Sequence, residues 1–421
     1  MGNEKLNRHS VILGLALLTM LLLGLTLTAS AGAPIGTQFP IRAESEVEVN
    51  PAIAYNSQRQ EYLVVLWNDR PGCDDIRAER VDRNGARLGG KWVAAGCPAE
   101  HRYPDVAYNS QRKEYLVVWV EETGGIFYIR SLSLSAEGEP LVGPTTLVQD
   151  ANPLHFPAVA YATQSDDYLV VWEDDFPGGS SIIGRVVSSD GQAKPGYVEV
   201  SLDPGGQYHQ QPDLAYNRHA NGFLVVWQQW DSTYNLWDIH GRLVNGDGGT
   251  PFTSFVVDNW MVDTTAPAVA AIPSTSTSYK YLVVWEKAGV GDRDIYARLI
   301  EENGTPAPDG FYVSVDTTID ESTPAVAGDE AGQRYLVTWR HPLGVIDVPI
   351  HGRAVSAEGS LVYDEAVFGG PTADSPAVAA GSVGTFLVAW QDKTPWATQT
   401  DIWGQLWGNH VYLPIVVRNR Q

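Results

Sequence analysis

Positive charge is scarce in this chain. Lys and Arg number 28 against 50 Asp and Glu, leaving a net charge of −22 at neutral pH. So acidic a surface repels nucleic acid and anionic membranes, and it favours cations or neutral partners such as sugars. Cysteine is nearly absent, with Cys73 and Cys97 the only pair. The nearest histidine, His101, stands alone, which argues against a metal-bound or catalytic thiol. One disulfide in an oxidising compartment is expected instead. No apolar run of membrane length occurs beyond the first thirty or so residues, and no window carries a helical period. No Ser-His-Asp arrangement, phosphate loop or nucleotide fingerprint is present.

The start of the chain reads as a targeting segment. Lys5 and Arg8 precede an apolar run from Val11 to Leu27, and Ala29-Ser30-Ala31 offers a small-x-small cleavage site. Residues 1–31 are therefore expected to be a signal peptide, the alternative being an uncleaved anchor helix. Cleavage would leave an exported chain with no membrane insertion. With 44% hydrophobic and 10% aromatic residues the remainder has ample material for a packed core.

What the chain has in abundance is repetition. A proline, a short apolar stretch, a turn, Tyr/Phe-Leu-Val-Val/Thr/Ala-Trp, a loop and Asp-Ile-x-Gly/Ala-Arg recur along it. The repeats open at Pro51, Pro104, Pro157, Pro212, Pro267, Pro324 and Pro376, and the second stretches end at Trp67, Trp119, Trp172, Trp227, Trp285, Trp339 and Trp390. Each copy reads as four short strands rich in Val, Ile, Tyr and Trp between Gly, Asn, Asp and Pro turns. Leu-Val-Val-Trp is apolar on both faces, so it needs cover on both sides, as a blade stacked between two neighbours provides. The expected fold is all-β: a seven-bladed β-propeller of four-stranded antiparallel blades over residues 36–408. The segment Gln38–Ala43 has the spacing of a fourth strand without the first three. It is expected to complete the seventh blade and close the ring, with Asn409–Val417 as the alternative.

These landmarks resemble the secreted bacterial β-propellers built of Leu-Val-Val-Trp repeats. The resemblance covers residues 36–408 and implies an extracellular or cell-surface protein of a bacterium, with ligands on the face that carries the loops between second and third strands. The Gly-His and Trp-Asp landmarks of WD40 repeats, the double glycines of kelch repeats and the Asp-box of sialidases are missing. Residues 409–421, with the tail Val411–Arg418, look like a short C-terminal tail of exported bacterial proteins, implying attachment or sorting. The tail reads equally as an extra edge strand.

On the loop face, Trp230, Tyr234 and Trp237 share one loop, and Trp260 and Trp396 stand in or beside others. Such rings either cap the scaffold or offer a flat surface for a sugar. His101, His155 and His209 each lie two or three residues before an opening proline in consecutive repeats. Their candidate role is at the channel mouth, and no metal is assigned to them. Asp69, Asp74, Glu121, Glu122, Glu173, Asp174, Asp175, Asp231, Asp263, Asp374 and Asp392 also fall on this face and read as solvated charges, with Ca²⁺ as a conceivable ligand of Glu173-Asp174-Asp175. The repeated Asp238/Arg242 and Asp294/Arg298 read as blade-stabilising pairs. The trypotphans ending each second stretch, together with Trp92, Trp403 and Trp407, read as core. The function expected is extracellular, non-catalytic binding or scaffolding by a monomer that needs no cofactor and recognises glycan or a cell-surface protein. The alternative is a glycoside hydrolase or polysaccharide lyase with carboxylates at the channel mouth.

Overall fold

The stretch Tyr168–Trp172 is fully buried at every residue, and so are its counterparts such as Tyr281–Trp285. An apolar strand without a wet face must have sheets on both sides, and a closed ring of blades supplies them. A computed structural model describes residues 32–408, apart from 45, 71, 202–206, 251–252, 273–277, 290, 315–317, 345–347, 364, 371, 383 and 394–399. The expected segment 1–31, the tail 409–421 with its alternative closing strand, and Trp396 lie outside the described residues.

The described chain forms seven four-stranded antiparallel sheets, and no helix occurs among the described residues. Within a sheet the strands run outward in chain order. Blade one is Val47–Asn56, Glu61–Asp69, Asp75–Asp82 and Arg87–Ala94, and blade four is His209–Asn217, Gly222–Asp231, Leu236–Asn245 and Phe255–Asp258. Blade seven takes its outermost strand from the other end of the chain. Ala33–Arg42 pairs antiparallel with Thr400–Gly408, so the N-terminal strand closes the ring and covers an edge, as expected. Between blades, the apolar faces interleave: Leu116 and Val118 of blade two pack against Tyr168, Val170 and Trp172 of blade three. The disulfide joins Cys73 to Cys97 across 24 residues, in the loop of blade one and its link to blade two. Closing a loop of that length stabilises the fold by about 3 kcal/mol.

Three expectations are corrected. The Asp and Arg of Asp-Ile-x-Gly-Arg do not pair. Residues four apart along one strand stand roughly 13 Å apart. The arginine instead reaches back to the outer part of the preceding blade: Arg242 to the Val200 carbonyl (3.0 Å), Arg298 to Val257 (2.7 Å) and Arg353 to Val313 (2.6 Å). Trp67 is not a core landmark. Tyr62 pairs with Val81 as Tyr115 pairs with Leu134, so Leu66 fills the place of Trp119 and Trp67 stands one residue further on. It is only half-buried. Trp92 lies on the outermost strand of blade one and is 41% exposed, under the Arg77 guanidinium, while Trp407 is buried as expected.

The closure has its own chemistry. In blade one the arginine of the repeat is replaced by Glu79, fully buried, which meets Arg42 of the N-terminal strand at 3.4 Å, Arg77 at 2.6 Å and Arg87 at 2.9 Å. Arg42 also pairs with buried Glu48 at 2.6 Å. Burial outweighs that attraction and pushes the Glu48 carboxyl up to about 7. Removing one member of a buried ionic cluster leaves its partners uncompensated, at a cost of roughly 3 kcal/mol or more. Glu79→Ala is therefore expected to lower the unfolding free energy by about 3 kcal/mol. Urea unfolding followed by tryptophan fluorescence measures this, and a change within 0.5 kcal/mol of zero (the ordinary scatter of surface substitutions) would contradict it.

Candidate channel-mouth site

Each inner strand begins with the same device. The residue before the opening proline has positive φ in all seven blades: Asn50, Tyr103, Phe156, Gln211, Ala266, Thr323 and Ser375. The register of the inner strand slips by one residue at that point, between Val49 and Ala52 in blade one and at the equivalent place in the others. This is a β-bulge, and proline fits it because the inner strand is an edge whose lost N–H faces the channel. Five of these seven residues, Asn50, Tyr103, Phe156, Thr323 and Ser375, line one cavity at the channel, and the residue before proline keeps an N–H that needs an acceptor.

At four junctions the preceding blade supplies it, from the residue that follows the landmark tryptophan. The Gln391 side-chain carbonyl accepts from Asn50 N–H (3.0 Å), Glu173 from Gln211 (3.1 Å), Gln228 from Ala266 (3.0 Å) and Glu286 from Thr323 (2.9 Å). At two adjacent junctions that position is apolar. Blade one places Trp67 there and blade two places Val120. The residues they face are the two aromatic members of the ring, Tyr103 and Phe156. Trp67 stacks edge-on to Tyr103 at 5.3 Å, and Tyr103 lies against Phe156 at 4.8 Å and His155 at 6.4 Å. One sector of the mouth is thus an aromatic wall, and Phe156 is 37% exposed on it.

The floor is asymmetric as well. The residue after proline is Ala52, Ala158, Ala268, Ala325 and Ala377 in five blades, but Asp105 and Asp213 in blades two and four. Each aspartate reaches past one blade edge: Asp105 Oδ2 accepts from Val159 N–H and Asp213 Oδ2 from Val269 N–H, both at 2.7 Å. Burial pushes Asp105 up to about 7, with the Asp213 charge adding to the rise, and burial pushes Asp213 up to about 6. Prolines, Tyr103, Phe156, Asp105 and Asp213 line an open cavity of about 360 Å³, in the range of small-ligand sites.

The residues expected from sequence are dispersed around this mouth. Trp230 and Trp237 form a cross-strand pair, edge-on at 5.3 Å, at the end of the hairpin whose turn exposes Tyr234. Trp260 is 63% exposed with the Lys287 ammonium 4.7 Å above its ring. The three histidines do not form a common cluster. His101 is buried with Nδ1 2.8 Å from the Asp74 carbonyl, His155 lies 3.5 Å from Asp175, and His209 is buried beside Trp227. Three of the eleven acidic residues are not solvated charges: Glu173, Asp74 and Asp392 are buried as hydrogen-bond acceptors within or between blades, while Asp69 is exposed and the other seven are partly exposed. Burial raises Glu173 to about 7 and Asp174 to about 6. Tyr103, Phe156, Asp105 and Asp213 were absent from the sequence expectations. Aligning the repeats for what differs at one position, rather than for shared landmarks, would have found them.

No protein-family model matches the chain, and no curated protein matches it in sequence. Among solved structures it is similar to a protein of unknown function from Dyadobacter fermentans (13% identity, TM-score 0.51, covering 74% of this chain and 95% of that one). It is also similar to the propeller domain of the trilobed protease of Pyrococcus furiosus (8% identity, TM-score 0.48, 90% and 99%) and to the microbial sialidase Hz136 (11% identity, TM-score 0.47, 72% and 65%). At such identities the likeness is one of fold alone: the class is the β-propeller.

A carboxyl whose folded pKa is raised contributes stability below its unfolded value, near 3.8, and loses that contribution as the pH rises through its folded value, near 7 for Asp105. Glu48, Glu173 and Asp213 shift in the same direction. The melting temperature is expected to fall between pH 5 and pH 8, and to fall less in Asp105→Asn, which keeps an acceptor for Val159 N–H. Calorimetry at both pH values decides, and an unchanged slope in the variant would contradict the assignment.

Proposed function

We propose that this chain is a secreted, non-catalytic binding propeller that takes a neutral glycan on its mouth face, acting as a single copy. One observation carries the reading: the repeat gives up its polar inter-blade acceptor at two adjacent junctions and puts Trp67, Tyr103 and Phe156 there. An apolar wall of aromatic rings beside two hydrogen-bond-accepting carboxyl groups suits a sugar ring, which offers C–H groups to an exposed ring face and hydroxyl donors to the acids. The charge of −22 favours a neutral ligand over an anionic one. Trp230, Tyr234, Trp237 and Trp260 extend the same face and would hold further residues of a longer chain, with Trp396 and His155 as additional candidates.

A second reading is supported by the raised pair Asp105 and Asp213, which has the paired-carboxyl chemistry of a glycoside hydrolase. Against it, each acid already accepts a backbone N–H of the blade beyond, a latch role that needs no reaction.

The test is a glycan array probed with the purified protein, with Tyr103→Asn/Phe156→Asn and with Trp230→Ala/Trp237→Ala. Asparagine tolerates the positive φ and already stands at the equivalent Asn50. Saturable binding to a neutral glycan is expected, weakened about tenfold or more in the first variant, since each lost ring contact is worth about 0.5–1.5 kcal/mol. Absence of binding to every glycan would overturn the carbohydrate reading in favour of a protein partner. Release of reducing ends from the bound glycan, lost in Asp105→Asn, would overturn the non-catalytic one.

A further inference from the structure

Blade six, outside the sector of the aromatic wall, carries the one group of three metal-ligating side chains found together among the described residues. His341 follows the second strand, Arg334–Arg340, and His351 lies on the third, Ile350–Ser356. Their rings stack face to face, 3.9 Å apart and 14° from parallel. His341 Nδ1 stands 2.8 Å from Glu321 Oε1, an acid that also accepts the Trp339 indole N–H at 3.0 Å and the Ser314 hydroxyl. A carboxylate on Nδ1 orients an imidazole with its Nε2 as the acceptor, the arrangement that supports metal-bound histidines. His351 Nδ1 contacts Glu365, whose other oxygen is held by Arg353 at 3.2 Å.

Ligand atoms of His341, His351 and Glu365 all lie within 4.8 Å of one another. The repeat is an internal control on their meaning. At the place of His341 the other blades carry Glu121, Asp174, Gln229, Lys287 and Asp392, and across from the landmark tryptophan, where His351 stands, they carry Arg130, Ile183, His240, Tyr296 and Trp403. Blade one carries Asn68 and Arg77 there, so a histidine recurs at one place in blade four but only blade six has histidine at both, and the architecture does not require the pair.

We propose that His341, His351 and Glu365 bind one divalent transition-metal ion of the Zn²⁺ class, with Glu321 as the positioning residue for His341. Two imidazoles and one carboxylate suit Zn²⁺ and its borderline neighbours. Ca²⁺ and Mg²⁺ want oxygen ligands and are not candidates. Because the rings are nearly parallel, one ion cannot lie in both planes. His351, the more exposed of the two, turns about its Cβ–Cγ bond on binding. Three protein ligands leave a fourth position open to water or a ligand donor.

The experiment is isothermal titration of the tag-free full chain with Zn²⁺ in chelator-free buffer, alongside His351→Gln and Glu365→Gln. The expected result is one equivalent bound by the wild type. Each variant, with its metal-free melting temperature unchanged, should bind at least about tenfold more weakly. Co²⁺ should give a d–d absorption band lost in His351→Gln. No stoichiometric binding would overturn the proposal. So would one equivalent bound equally well by both variants, which would assign the ion elsewhere. Should either variant melt early, His351→Asn is titrated in its place and read by the same criteria.

Discussion

The propeller depends on what happens to one backbone N–H per blade. Each inner strand is a sheet edge around the channel, bent by a bulge before its proline, and the bulged residue adopts positive φ at all seven junctions. Its amide must find an acceptor or remain shielded. Glu173, Gln228, Glu286 and Gln391 provide acceptors across four junctions, so the hydrogen bond that satisfies the bulge also ties blade to blade. Such a bond contributes about 1 kcal/mol, more when the acceptor is charged. Trp67 and Val120 cannot accept, and the rings of Tyr103 and Phe156 cover those junctions instead. The asymmetry of the mouth is thus a departure from the structural repeat, and it follows from the same packing problem that the repeat solves.

Ring closure follows the same logic at the rim. Inside the ring, Arg242, Arg298 and Arg353 each cap a carbonyl of the blade before. At the seam the preceding outer strand comes from the N-terminus, and the chemistry inverts. Glu79 replaces the arginine and Arg42 arrives from the closing strand. A unique charge pairing marks this strand as the partner of this blade, which helps a chain of near-identical blades to close in one register.

Blade number, strand order and the identity of the closing strand were legible because they rest on periodic features: prolines every 52 to 57 residues, doubly apolar second strands and a lone fourth strand at the start. The disulfide followed from having only two cysteines. The site was less legible. Trp67 sits within a run that reads Leu-Val-Val-Leu-Trp, and only the pairing of Tyr62 with Val81 shows the one-residue displacement that takes its ring out of the core. Asp105 and Asp213 look like ordinary strand-start residues until the inner strands are brought around a common axis. Loop tryptophans drew notice as large rings in polar surroundings, yet Trp230 and Trp237 spend much of their surface on each other. The His341–His351 pair joins residues from two strands and is visible only once the register is known.

If the mouth takes a ligand, as proposed, where the repeat lacks the inter-blade acceptor, restoring that acceptor is the most direct test. Trp67→Gln and Val120→Gln place at blades one and two the side chain that blade four uses as Gln228. The double variant is expected to melt no lower than the wild type, because two bulge amides gain acceptors. Glycan binding is expected to disappear as the aromatic wall loses its support. A double variant that binds as tightly as the wild type would contradict a ligand site at these two junctions.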